Sequence, residues 1–236
     1  MADIFTNLPF FMYQAAYYIE VITGILAIGV ILFSRIRNAI SLGWFVLFVI
    51  LVDLLSKYAI IRLPNGEYSN HYYYNLARIP EVLLLIWVWH WQMAGGHKKP
   101  LVPITLTILW SGFAMANLLF IQGFYVLNTT SFLLGSLIAI GLGSTRLFAI
   151  VDHNKIGKQT GNPQIWFWGG IIIGNAFSFA YRVFEPLTQF SNKSLFQSSV
   201  IVAAILKYLF ISIAFILILQ KKTTSPGHGQ HSTTGP

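Results

Sequence analysis

Val46-Leu-Phe-Val-Ile-Leu-Val-Asp-Leu-Leu55 decides the fold of this chain. Wound as a helix, the run is apolar on every face, with Asp53 its single polar residue. A helix of that kind has no face to turn to water. Leu209-Phe-Ile-Ser-Ile-Ala-Phe-Ile-Leu-Ile-Leu219 repeats the pattern around a lone Ser212. Nor does the rest of the chain supply a polar coat. Hydrophobic residues make up 56% of it and charged residues 9%, against about 25% charged in a soluble domain. The solvent of these helices is lipid.

Working outward, similar runs fill nearly all of the 236 residues, at about 15–33, 40–61, 73–93, 101–121, 127–150, 165–185 and 198–219. Each approaches the roughly 20 apolar residues that cross a hydrocarbon core of about 30 Å. The expected fold is therefore all-α: a polytopic membrane protein built as a seven-transmembrane-helix bundle. Residues 1–222 form one membrane domain, and 223–236, rich in Ser, Thr, Gly and Pro, form a disordered tail. No soluble catalytic domain fits between the runs.

Loop charge gives the direction of the bundle. Arg35 and Arg37 follow the first span, Lys98 and Lys99 the third, Lys155 and Lys158 the fifth, and Lys221 and Lys222 the seventh. The other connections hold Lys57, Arg62 and Lys193 against Glu67. Basic residues collect on the cytoplasmic side, which places the N-terminus outside and the C-terminus in the cytoplasm. The same bias explains the net charge of +8 without any nucleic-acid partner, since no basic stripe lies on a soluble face. The first 34 residues lack Lys and Arg, so no signal-peptide n-region is expected. Tyr72, Tyr73, Tyr74, Trp87, Trp89, Trp91, Trp166 and Trp168 are expected as interfacial anchors.

Against this apolar background the charges inside the spans stand out. Glu20, Asp53, Arg78, Glu81, Arg182, Glu185 and Lys207 all lie within a span or at its rim. With the N-terminus outside, these groups fall mostly in the outer half, together with Asn117, Gln122 and Asn128. His90 and Arg146 are the main exceptions. An ionised side chain at mid-bilayer costs about 2.5–3.5 kcal/mol on insertion scales, so these groups should face the interior and pair. Arg78-Ile-Pro-Glu81 and Arg182-Val-Phe-Glu185 share an Arg-x-x-Glu spacing that puts both charges on one helical face. Lys207 is expected to pair with Glu20, Asp53 or Glu81. The network has two readings at this point: a structural lock on helix register, or an outward-facing polar pocket for a ligand, ion or proton. Pro80 is expected in the first turn of its helix, where it removes no hydrogen bond.

Several chemistries find no support. The chain has no cysteine, so thiolate metal sites and disulfides are excluded. His71, His90, His97 and His153 fall at different depths and on both sides, and no metal set is expected; His228 and His231 in the tail make a weak one. Lys207 on the seventh helix is placed like a retinal lysine, but the residue one turn earlier is Ala203 where microbial retinal proteins carry Asp. No nucleophile triad, phosphate-binding glycine loop or other cofactor motif is present. Catalytic residues, metals and cofactors are accordingly expected to be none. Gly141, Gly143 and Ser144, and Gly169, Gly170 and Gly174, are expected to permit close helix packing.

Tyr74-Asn75 followed by Glu81, and Asn117-Leu-Leu-Phe-Ile-Gln-Gly123 running on to Asn128-Thr-Thr, together resemble a family of uncharacterised seven-helix membrane proteins of Bacteroidetes bacteria. The resemblance covers most of the chain except the tail. It implies the seven-helix fold and a bacterial inner membrane, carries no established activity, and singles out Asn75, Glu81, Asn117, Gln122 and Asn128. The leading functional expectation is a non-enzymatic, sensor-like protein or accessory subunit with a polar cavity open to the outer side. Its partners would be the lipid bilayer, other membrane subunits and a small outer ligand. The alternative is a small-solute or ion transporter.

Overall fold

A computed structural model of the chain describes residues 2–34, 36–58, 61–62, 68–69, 71–94, 100–123, 128–153, 161–184 and 193–223. They form α1 (Ala2–Phe33), α2 (Arg37–Tyr58), β1 (Ile61–Arg62), β2 (Tyr68–Ser69), α3 (His71–Ala94), α4 (Leu101–Ala116), α5 (Thr129–His153), α6 (Pro163–Phe184) and α7 (Lys193–Thr223). The two-residue strands pair antiparallel across the α2–α3 connection, Ile61 opposite Ser69 and Arg62 opposite Tyr68. Everything else of substance is helix. Glu185 and nearly all of the tail lie outside the described residues, as do Arg35, Glu67, Lys98, Lys99, Lys155 and Lys158 among the loop charges.

Local chemistry sets the helix ends that matter for the site. Asn162 caps α6 by accepting the Gln164 N–H on its side chain at 3.0 Å, with Pro163 in the first position, where a missing N–H is harmless. Asn128 does the same for α5, its Oδ1 accepting the Ser131 N–H at 3.0 Å. α4 does not stop at Ala116 but widens into a π-helical turn over Asn117–Ile121, closed by a Gln122 N–H to Asn117 carbonyl bond of 2.9 Å. Pro80 departs from expectation. α3 begins at His71, so Pro80 sits in the helix interior, where it cannot donate to the preceding turn.

Among the described residues, five of the seven helices are long and apolar enough to cross a membrane: α1, α2, α4 with its π turn, α5 and α7. α3 and α6, at 24 and 22 residues, match them in length but interrupt their apolar runs with Arg78, Glu81 and His90 in α3 and with Asn175 and Arg182 in α6. α1 packs on α2, α2 on α3, α3 on α5, α5 on α6, α6 on α7, and α7 back on α1, closing a circuit of six helices. α4 lies outside the circuit against α3. It buries Trp110 and Ala114 there, and Leu118 follows in its π turn, while Ile104, Ile108, Leu109 and Phe120 remain on the outer surface. Exposed Leu32, Trp44, Leu51 and Phe148 extend that apolar surface around the bundle, as a lipid-facing exterior requires.

Inside the circuit the two ends differ. One end is filled by Phe45, Ile86, Phe167, Trp168, Ile211 and Phe215, all at most 3% exposed. Phe45 meets Phe167 edge to face with ring centroids 6.2 Å apart. Trp168 is therefore a core residue and not the interfacial anchor expected of it; its indole N–H is satisfied by Gln92 Oε1 at 2.7 Å. The other end, reached by the first halves of α1, α3, α5 and α7 and the last halves of α2 and α6, is hollow.

Candidate functional site

The hollow end is a cavity of about 770 Å³ lined by all six helices of the circuit and by none of α4. Its size falls in the range of about 300–1,000 Å³ typical of small-molecule sites. α1 contributes Glu20, α2 Asp53, α3 Arg78 and Glu81, α6 Arg182 and α7 Lys207. Three formal cations and three formal anions thus line one space.

Arg78 is the hub. Its Nη1 donates to Glu81 Oε2 at 2.8 Å, the within-helix bridge that the Arg-x-x-Glu spacing anticipates. Its Nη2 reaches Ser136 Oγ on α5 at 3.0 Å, Asn175 Oδ1 on α6 at 3.3 Å and the Phe132 carbonyl at 3.4 Å. Asn175 is oriented for this by donating its own Nδ2 to the Ile171 carbonyl at 2.9 Å. The guanidinium lies 5.2 Å over the Phe132 ring. Gly135 makes the arrangement possible, because a Cβ at that position would stand 2.8 Å from Arg78 Nε. One side chain thereby joins α3, α5 and α6.

Arg182 shares the same aromatic ring, its guanidinium 5.7 Å from the centroid of Phe132 and 5.2 Å from that of Tyr181. Glu185 lies outside the described residues, so the second Arg-x-x-Glu pair is not among the observed contacts. Asp53 accepts a 2.7 Å hydrogen bond from the Tyr208 hydroxyl, tying α2 to α7. Beside it, Thr23 Oγ1 on α1 pairs with Ser212 Oγ on α7 at 2.8 Å. Glu20, 4% exposed, faces the same space.

Lys207 behaves differently from expectation. Among the described residues its ammonium makes no hydrogen bond or ion pair; it lies 5.1 Å over the Tyr208 ring and its charge reaches Glu81. Its stem runs along Gly174, where a Cβ would come within 2.7 Å of Lys207 Cδ. At Gly170 a Cβ would meet the Lys207 carbonyl at 2.8 Å. The Gly170–Gly174 face of α6 is thus cut away to hold the lysine stem while its charged end stays in the cavity.

The other amides assemble elsewhere. Asn75 Oδ1 accepts the Asn128 N–H at 2.8 Å. Asn117 Nδ2 donates to Asn128 Oδ1, to Ser131 Oγ at 3.0 Å and to Gln122 Oε1 at 3.4 Å. Asn75, Asn117 and Asn128 are each at most 3% exposed, and none of the four amides lines the cavity. The single outer polar layer expected from the sequence is therefore two separate groups: a charged cavity inside the circuit, and an amide joint locking α3, α4 and α5.

Sequence reasoning missed Ser136, Asn175 and Tyr208. Asn175 was detectable as a lone amide within an apolar run; a serine and a tyrosine in such a run carry no comparable signal. At the opposite end Arg146 bonds Gln164 Oε1, and His90 is buried edge-on to Trp87 at 5.9 Å, remote from the cavity lining. Among the described residues no three His, Asp or Glu side chains converge on a metal position. Comparison with family models, curated proteins and solved structures returned no match.

Proposed function

We propose that this chain is a membrane-embedded binding protein, sensor-like or an accessory subunit, that takes up a small polar ligand from the outer side. All seven helices cross a bacterial inner membrane in this reading, with the N-terminus outside, and the family resemblance is part of the same proposal. The observation that carries it is the cavity of about 770 Å³ with six formally charged side chains on its walls, closed at its far end by the Phe45–Phe167–Trp168–Phe215 core. A purely structural ion-pair lock needs no such space, because its partners satisfy one another by direct contact, as Arg78 and Glu81 do at 2.8 Å. The confinement of the charged lining to one end favours binding over passage, since a transporter site lies near the bilayer midplane.

The cysteine-free chain makes the test direct. A Ser178→Cys variant, on the cavity wall, should react with a membrane-impermeant thiol reagent added outside intact cells and not with reagent confined to the cytoplasmic side. Absence of reaction from either side would remove the binding-cavity reading. Solute flux in proteoliposomes that is abolished by Glu81→Gln and by Arg182→Ala would replace it with the transporter reading.

A further inference from the structure

From the distribution of charge around the cavity we infer the class of its ligand: a small zwitterion bearing an ammonium and a carboxylate, as amino acids do. The inference rests on the binding-cavity reading above. In the circuit α1–α2–α3–α5–α6–α7, helices α1 and α2 stand opposite α5 and α6. The acids Glu20 and Asp53 belong to the first pair. On the opposite side, Arg182 projects from α6, and the Arg78 guanidinium is drawn toward α5 and α6 by its bonds to Ser136 and Asn175. Glu81 on α3 is bridged to Arg78 at 2.8 Å, so apart from that pair the acids stand on one wall and Arg182 on the other, with Lys207 on α7 between them.

Four further features agree. Tyr13, Tyr17 and Tyr74 line the acidic side, and aromatic faces attract cations. Lys207 presents a positive charge with no hydrogen bond or ion pair among the described residues, held in place by the Gly170–Gly174 cut in α6. An anionic group entering the cavity would satisfy it. Finally, the formal charges on the walls cancel, so a ligand of net charge would leave that charge uncompensated in a poorly solvated space, whereas a zwitterion would not. The volume also exceeds what a bare ion fills, leaving room for a side chain.

The test uses full-length protein in detergent, with protection of the Ser178→Cys variant from thiol labelling as the readout. The probes are the twenty common amino acids and glycine betaine, together with matched single-charge analogues. L-leucine is set against 3-methylbutylamine and 4-methylpentanoate, and L-phenylalanine against phenethylamine and 3-phenylpropionate. At least one zwitterion should protect, and about tenfold or more better than its amine and its acid, as loss of one charge-assisted bond implies. Lys207→Gln should erase the advantage over the amine, and Asp53→Asn the advantage over the acid.

A second measurement needs neither ligand nor charge removal. The ratio of cationic to anionic methanethiosulfonate reactivity should be about tenfold higher at Val52→Cys, on the acidic wall, than at Ser178→Cys on the basic one. Equal ratios overturn the inference. So does protection by an amine or an acid equal to that by its zwitterion, or by no zwitterion at all. In each of those cases a reactive, one-sided Ser178→Cys would leave the binding-cavity reading standing.

Discussion

Arg78 shows how a charge is made tolerable within an apolar bundle. Only 7% of its side chain is exposed, and it answers that burial with a carboxylate, a hydroxyl, an amide, a carbonyl and an aromatic face. Arg78→Ala should lower stability by about 2–4 kcal/mol in reversible unfolding in mixed micelles, less than for a fully dry pair because Glu81 keeps 23% exposure to the cavity. The double replacement Arg78→Met with Glu81→Leu should recover most of that loss, since it strands no charge. Equal losses for the single and double variants would mean that Arg78 matters through packing alone. The Arg78–Glu81 bridge was legible in the sequence, because three-residue spacing is a property of one helix. That Lys207 makes no ion pair among the described residues was not, since that depends on where α1, α2 and α3 place their carboxylates.

At the scale of the element, glycines of like composition have opposite consequences. Gly143 lies under Ile172, where a Cβ would come within 2.7 Å, and Gly170 lies under the α7 backbone; both serve the close packing expected of them. Gly141, two residues from Gly143, has nothing within 4 Å of a built Cβ and faces outward. Gly170→Ala should therefore destabilise by about 1–3 kcal/mol through overpacking against backbone that cannot yield. Gly141→Ala should be neutral or stabilising by about 0.5–1 kcal/mol through helix propensity. Melting of the two variants in detergent reads the sign, and a shift in the same direction for both would refute the assigned faces. The amide motif makes a related point. Asn117, Gln122 and Asn128 stand out in sequence as polar residues in apolar runs, yet they are spent on an N-cap, a π turn and a helix joint. Polarity alone marks a residue that must be satisfied, and does not say whether a ligand or the protein satisfies it.

For the whole molecule, the two-ended interior predicts a one-sided pattern of access. In the proposed orientation Ile36→Cys, in the α1–α2 connection and exposed, should label from the membrane face opposite to Ser178→Cys. Ala214→Cys, fully buried in the apolar end, should label from neither. Labelling of Ile36→Cys and Ser178→Cys from the same face would mean that the chain does not cross as proposed. The sequence by itself determined the lipid-facing helical character and most helix limits, because both depend on local apolar length and on nearby caps. It also determined which residues must avoid lipid. What only the tertiary structure decided was how those residues divide. Circuit closure by α7 on α1 and the exclusion of α4 to the outside put the charges in a cavity and the amides in a joint. That division depends on which helices become neighbours, and an apolar exterior leaves little local signal of neighbour choice, since lipid and core ask for the same side chains.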